Sequence, residues 1–419
     1  MGDLILKECR QIYRNSPDRG SSHNSILIRD GKIKNIGPIT KIWPLAGKGA
    51  EVIDCSDLIV LPGFVDSHTH LLFAGTREDE LYLRAAGKSY MEILKQGGGI
   101  YNTVNNVKFA SEELLLKNGL RFLDEALSFG ITTIEIKSGY GLDYDNEKKM
   151  LKIINKLNKL HPIKVIPTFL VHTVPKNGDR KKYIDQLLNR MIPEFREYAE
   201  WFDIFVERGV FETKEAELLI KRSIDEGYRI GIHTNQIEDI GGIALADRLG
   251  VRHVDHLEVL SDNDAEMIIE NKNIYPVFLP AAEGFVFSRH IGQINKLISI
   301  PSRIVLSSDF NPGSSPVLSP QFVMTYAVLR YRIPDPLLLI DAYTTNPSEM
   351  LFLEMSGKIE RGYKADLVCI NLENFKQIPY FGTFNFVKIV IKDGIVIWDF
   401  KKDFKRGGSN ENYNQCFKG

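Results

Sequence analysis

The chain has 419 residues, 43% of them hydrophobic and 26% charged, with a formal net charge of −1. This is a globular composition, with apolar mass for one barrel-sized domain and a smaller satellite. It lacks the basic excess of a nucleic-acid binder, and no apolar run approaches the roughly twenty residues of a transmembrane helix.

The N-terminal part reads as β-structure: LILKECRQIYR, SILIRDGKIKNIG and EVIDCSDLIVLPG are short apolar runs cut by Gly, Asp and Asn. Asp30-Gly31 marks a hairpin turn in the second of them. The opening MGDLILKECR holds too short an apolar run for a signal peptide, so a cytoplasmic location is expected. The middle of the chain then alternates. Eight β-branched runs, LPGFVDSHTH, ITTIEIK, IKVIPTFLVH, FDIFVE, YRIGIHT, RHVDHLE, NIYPVFLP and RIVLSSD, are separated by helical stretches. One such stretch, SEELLLKNGLRFLDEALSFG, opens on a cap candidate at Ser111, has acids in its first turn and stops at Gly130. The Gly97-Gly98-Gly99 run lacks the Gly-Lys-Ser/Thr of a phosphate cradle; it reads as a mobile loop, with a lid over a barrel mouth as the second reading.

This alternation predicts an α/β chain, with a (β/α)8 TIM-type barrel over residues 62–354. The C-terminal part returns to β-structure in GKIERGYKADLVCI and VKIVIKDGIVIWDF, with a second Asp-Gly turn at Asp393-Gly394. Residues 1–61 with 355–419 are expected to form a small β-sandwich-like domain built from both termini. The four cysteines, Cys9, Cys55, Cys369 and Cys416, form no CxxC pair, and they read as reduced thiols, not as a zinc finger or a disulfide framework.

The strongest chemical signal is Asp66-Ser67-His68-Thr69-His70, at the end of the first barrel-type run. Alternate residues of a strand point to one side, so His68 and His70 aim together and can reach one metal at a barrel mouth. Taken alone, the pair reads equally well as two core or solvent-facing histidines. Other polar residues fall at strand ends, where barrels place chemistry. They are His172 (third run), His233 (fifth), His256 (sixth) and Asp309 (eighth). His23, His161, His253 and His290 lack that placement and read as ordinary structural histidines.

The DSHTH run, the histidines after the fifth and sixth strands and the aspartate after the eighth resemble the amidohydrolase superfamily. Longer strings are more specific. LPGFVDSHTHLLFAGTREDE, YMEILKQGGGI, ITTIEIKSGYGLD, PTFLVHTVP, VDHLE and SSDFNPGSSP resemble the imidazolonepropionase family, and KADLVCI resembles its small domain. The resemblance implies one divalent metal ion per chain, zinc or iron, on His68, His70, His233 and Asp309. It implies a substrate pocket lined by Arg77, Tyr140, His172, Gln236, Asn311, Gly313 and Ser314. The implied substrate is a small molecule with a carboxylate tail, 4-imidazolone-5-propanoate, opened by a metal-activated water to N-formimidoyl-L-glutamate. No nucleic-acid or membrane partner is implied, and a homodimer is expected from the family.

Within that reading Asp309 and His256 are the candidate catalytic residues. Asp309 is either the proton acceptor or purely a ligand. His256 either bonds the developing oxyanion or only orients Asp309. Arg77 would anchor the tail, against the alternative of a surface arginine in TREDE. Tyr140 is either a hydrogen-bond donor to the tail or a ring packed under its loop. Asn311, Gly313 and Ser314 offer polar groups, or form an ordinary Asx-Pro-Gly turn.

Gln236 departs from the glutamate that the family position can carry, and an amide takes no proton. The LPAAEGFVFSR segment receives no role. Lys137 reads as a packed or salt-bridged side chain, not as the bridging lysine of two-metal amidohydrolases. The alternatives are another mononuclear amidohydrolase or deaminase acting on a ring substrate, and a non-catalytic binding barrel.

Overall fold

A computed structural model describes residues 2–14, 23–88, 92–93, 98–176 and 178–402; Gly97 and Cys416 lie outside them. The satellite is built from two sheets. One holds β1 (Leu4–Cys9), β3 (Asn24–Arg29), β4 (Lys32–Gly37) and β5 (Glu51–Asp54) in the order β4-β3-β1-β5. The other holds β2 (Gln11–Ile12), β6 (Ile59–Pro62), β15 (Leu367–Ile370), β16 (Val387–Lys392) and β17 (Ile395–Asp399) in the order β17-β16-β15-β6-β2. Leu6, Ile26, Ile28, Ile33, Val60, Leu367 and Ile391 fill the core between them, together with Cys9, Cys55 and Cys369, all three free thiols.

Both Asp-Gly hairpins form. Asp30 and Gly31 have φ of 51° and 73°, and Asp393 and Gly394 have 46° and 76°. Two consecutive left-handed residues define the tight turn that Asp-Gly favours. The turns lie against each other, with Gly394 so close to Gly31 that an added Cβ would come within 2.9 Å of the Gly31 Cα.

The eight middle strands are parallel neighbours in the order β14-β13-β12-β11-β10-β9-β8-β7. They are β7 (Phe64–Asp66), β8 (Ile131–Lys137), β9 (Lys164–Val171), β10 (Trp201–Val206), β11 (Arg229–Thr234), β12 (His253–His256), β13 (Tyr275–Phe278) and β14 (Val305–Leu306). Each falls within one expected run except β10, which begins one residue before FDIFVE, at Trp201. The first run is split, because its Leu61-Pro62 belongs to β6 of the satellite. The helix that leads into β8 spans Glu112–Ser128, with Ser111 Oγ accepting from the Leu114 amide at 3.1 Å and Gly130 at φ 90° behind it.

Strand alternation divides the barrel into two environments. On β10, Phe202, Ile204 and Val206 join the helix-facing core with Leu151, Ile154, Leu219 and Ile220. Trp201 belongs to a separate apolar cluster with Val65, Ile166, Tyr275, Val277 and Val305. Asp203, buried two residues on from Trp201, belongs to a polar layer.

The barrel closes without a regular ladder between β14 and β7. Its seam is an isolated bridge, Thr69 to Phe310, flanked by Asp309 N→His68 O at 3.0 Å and His70 N→Phe310 O at 2.9 Å. Among the described residues no helix is long and apolar enough to cross a membrane.

Asp3 ties the satellite's first strand to its neighbours. Its carboxylate accepts Arg29 Nε at 2.6 Å and the Gly47 amide at 2.7 Å. The Arg29 hydrogen bond holds the Asp3 pKa down to about 2, from an ordinary 3.8. The contribution is therefore present above the ordinary value and is lost as pH falls through about 2. Asp3→Asn is expected to lose about 1–2 kcal/mol of stability at neutral pH, the scale of a hydrogen bond to a charged group. Denaturant titrations of both proteins should show that gap narrowing below about pH 4; a gap of the same size throughout would contradict the assignment.

Candidate metal centre

The site begins at the seam. β7 ends at Asp66, but its chain stays extended because it is held on both sides. Lys137 N donates to Thr69 O at 2.9 Å from β8, and the Asp309 and His70 amides bind across the gap. Alternation therefore survives past the ladder, and His68 and His70 share one side. β11 delivers His233 beside them. Ring centroids lie 5.5 Å apart for His68–His70, 4.5 Å for His68–His233 and 5.7 Å for His70–His233. One ligand nitrogen from each falls within 4.8 Å of the others. Asp309, at φ 51°, brings Oδ1 to 3.6 Å from His68 Nε2 and 3.3 Å from His70 Nε2.

These residues fit a divalent cation. His68 Nε2 and His233 Nε2 are buried and have no hydrogen-bond partner, an arrangement that costs roughly 1–3 kcal/mol per unsatisfied group. Their Nδ1 atoms are both engaged by carboxylates, His68 with Asp255 Oδ2 at 2.6 Å and His233 with Asp203 Oδ1 at 3.0 Å. A proton held at Nδ1 leaves the Nε2 lone pair for a metal. Burial, followed by the charges of neighbouring histidines and Lys137, pushes the pKa values of His68 and His70 well below the ordinary range, so both rings are neutral donors.

A buried network backs the carboxylates. His253 Nδ1 lies 2.7 Å from Asp255 Oδ1, and Lys137 Nζ lies 2.7 Å from Asp203 Oδ2 and 3.0 Å from Glu135 Oε1. Lys137 is fully buried, the salt-bridged lysine that its setting in ITTIEIK suggested. His253 was expected to be merely structural, and sequence reasoning passed over Asp203, Asp255 and Glu135. A signal existed. Parallel barrel strands are normally apolar runs, so an acid inside FDIFVE or RHVDHLE needs a buried partner. Gly231 makes room for this layer, since a Cβ there would meet the His253 ring at 2.0 Å.

Around the cluster, His172 stacks on His70 at 5.2 Å and 21°, with its buried Nδ1 unpartnered. The Tyr140 ring is 5.8 Å from His70 and 5.9 Å from His172. Its loop is pinned by the buried Glu147, which accepts the amides of Gly139, Gly141 and Leu142 at 2.9, 2.7 and 2.9 Å. Burial raises the Tyr140 hydroxyl well above its usual pKa, leaving a neutral donor.

His256 ends β12 with its ring 5.4 Å from His233, and its Nδ1 lies 3.3 Å from Glu258 Oε1. Burial works against its protonation, but Glu258 and then Asp309 raise its pKa to about 9. His256 and Leu257 both have positive φ, 88° and 69°, a costly pair that aims this turn.

Arg77 is half-buried, with 9% of its side chain exposed, rather than a free surface arginine; its Nε and Nη2 both donate to Glu80 at 2.9 Å. Asn311 forms the Asx turn. Its Nδ2 donates to Asp309 O at 2.7 Å and Ser314 Oγ at 2.8 Å, and its Oδ1 accepts the Gly313 and Ser314 amides, both at 2.8 Å. Gln236 is half-buried in the loop after β11 and makes no side-chain hydrogen bond among the described residues. That loop is held by Glu207, which accepts the Ile237 amide at 2.9 Å. In the unassigned LPAAEGFVFSR segment, Pro280–Phe285 is a short helix, and the Phe285 carbonyl accepts from Arg84 Nη1 at 3.5 Å.

Three imidazoles and a carboxylate converging inside a parallel barrel, with a two-sheet satellite, define a class of metal-dependent hydrolase. The chain belongs to the amidohydrolase family, whose description matches residues 59–397, and within it groups with the imidazolonepropionases. The Bacillus thuringiensis (strain Al Hakam) imidazolonepropionase is 38% identical over 382 residues, covering 90% of this chain and 89% of the relative. That of Bacillus cytotoxicus is 38% identical over 376 residues, covering 88% of each.

Solved structures share the fold. An adenosine deaminase from Xanthomonas campestris with bound zinc superposes with a TM-score of 0.73 at 16% identity, covering 97% of both chains. A guanine deaminase from C. acetobutylicum with bound guanine gives 0.69 at 15% identity, covering 94% of this chain and all of that one.

Asp255→Asn and Asp203→Asn should each weaken metal binding roughly 10- to 100-fold, because the imidazoles they orient lose tautomer and direction. Titration of stripped protein with zinc against a chelating dye measures this. Unchanged affinity in both variants would remove the carboxylates from the metal centre.

Proposed function

We propose that this chain hydrolyses the cyclic amide of 4-imidazolone-5-propanoate to N-formimidoyl-L-glutamate, a step of histidine degradation. The proposal takes one divalent ion, zinc or iron, on His68, His70, His233 and Asp309; the donor set suits either metal. The observation that carries it is a carboxylate-backed histidine cluster whose Asp309 loop, at Gly313, packs against a half-buried arginine, Arg77. Tyr140 packs its ring against His70 and His172.

A divalent ion bound there would polarise the ring carbonyl and lower the pKa of water toward about 7. The protein's own groups do the rest. Asp309 accepts the proton of the attacking water and passes it to the ring nitrogen as the C–N bond breaks. Gln236 takes no part in that transfer, being an amide. His256, held protonated by Glu258, donates to the oxyanion that forms on the carbonyl. Arg77 and Tyr140 bind the propionate, and His172 contributes a ring nitrogen beside them. The Asn311 turn, with Gly313 and Ser314, shapes the wall behind Asp309 and Arg77, its hydrogen bonds being spent within the loop.

A turnover assay with metal analysis on the same sample tests the whole reading. The protein should open imidazolonepropanoate, lose activity on chelation and regain it with zinc or iron. Arg77→Ala should raise KM for the tailed substrate by about 100-fold or more, the scale of a lost bidentate ion pair at about 3 kcal/mol. A protein that holds metal yet turns over rings with and without the tail equally would be a different amidohydrolase.

A further inference from the structure

Glu80 has no part in the chemistry above, yet its carboxylate is buried at 4% exposure and takes four donors. Arg77 Nε and the Gly99 amide reach Oε1 at 2.9 and 2.7 Å; Arg77 Nη2 and Arg84 Nη2 reach Oε2 at 2.9 and 2.8 Å. A guanidinium is a planar fork with two edges that can each receive a carboxylate bidentately. Glu80 occupies the side edge, Nε with one hydrogen of Nη2. The end edge, Nη1 with the other hydrogen of Nη2, is directed away from Glu80 by the covalent geometry alone. Nη1 makes no hydrogen bond among the described residues.

Gly313 fixes the remaining degree of freedom. A Cβ there would fall 2.2 Å from Arg77 Cζ and 2.3 Å from Nη1, so the guanidinium lies flat on the Gly313 backbone. Arg84 links the two restraints, bonding Glu80 with Nη2 and the Gly313 carbonyl with Nη1 at 3.0 Å. Arg77 and Arg84 share the one Glu80 carboxylate.

Resting on the reading of Arg77 as the tail anchor, we propose that Glu80 is a positioning residue that sets substrate selectivity. With Gly313 it aims the end edge of Arg77 at the mouth, so that the site prefers ring amides carrying a short carboxylate tail. A glutamate that merely knits the loop to the helix Ile100–Phe109 would predict a general loss of stability and activity, indifferent to the tail.

The test is the ratio of kcat/KM for imidazolonepropanoate to that for the same ring without the propionate, measured on the metal-loaded enzyme. Glu80→Gln should lower this ratio about 10- to 100-fold, chiefly through KM of the tailed substrate, since the amide's NH2 faces an Arg77 N–H instead of accepting it. Glu80→Asp, which keeps a carboxylate, should recover part of it. Gly313→Ala, which pushes the guanidinium out of plane from the opposite side, should lower it as well; thermal melts show which variants fold, and this one carries the test if Glu80→Gln does not. If Arg77→Ala collapses the ratio while Glu80→Gln and Gly313→Ala leave it at the parent value, the positioning role is wrong and the tail anchor stands. If Arg77→Ala itself leaves the ratio intact, the anchor reading fails and this inference with it.

Discussion

Asp255 contacts two histidines, His68 through one oxygen and His253 through the other. Asp203 likewise reaches His233 and Lys137. These bifunctional carboxylates organise the barrel interior. Each is fully buried, and a buried carboxylate is costly unless it is paired and hydrogen-bonded. Each is paired, and the pairing fixes which nitrogen of each imidazole carries a proton. What the pairing leaves over is unpartnered lone pairs converging beside Asp309. The polypeptide tolerates that arrangement because the rest of the layer is satisfied; a cation supplies what is missing.

The fold places this layer by two simple means. Strand alternation stacks an apolar floor, a carboxylate layer and a histidine layer along the barrel interior, as Trp201, Asp203 and the neighbouring His233 illustrate. The seam does the rest. Because β14 is short and meets β7 through an isolated bridge and side-chain hydrogen bonds instead of a regular ladder, the chain after it can turn. Asp309 uses that freedom to adopt a left-handed conformation, with its amide on His68 and its carboxylate toward His68 and His70. A regular ladder at this point would have pointed the side chain elsewhere. Closing the barrel and completing the ligand set are thus one structural event.

Much of this was legible in the sequence, for physical reasons. Eight apolar runs at helical spacing dictate the barrel, and two Asp-Gly turns dictate the satellite hairpins, because local chemistry alone specifies both. HxH at a strand end is legible for the same reason. The supporting layer was harder to read. Asp203, Asp255 and His253 are ordinary letters in short β-runs, and their meaning comes from cross-strand registers such as His233 with Asp255. Glu80 was hidden in TREDE, a string that reads as a solvated charge run. Three acids stand there, and only the fold distinguishes buried Glu80 from exposed Glu78 and Asp79. Asn311 was read as a polar turn or a ligand contact; the geometry gives it the turn, with all four of its bonding capacities used locally.

The same accounting bears on how many ions the centre takes. Oxygens of Asp203 and Asp255 with a nitrogen of His233 form a second group of potential ligands within 4.8 Å of one another. Taken alone, that group would invite a second cation. Lys137 already provides one: its ammonium is 2.7 Å from Asp203 and 3.0 Å from Glu135, and it adds to the field that holds Asp255 ionised. An incoming divalent ion would have to break those contacts and strand a buried ammonium against a like charge, several kcal/mol against it. His233 also has its Nδ1 committed to Asp203 and only Nε2 to offer, so it serves one centre. Proposing a single ion is therefore the reading that leaves every buried charge with a partner.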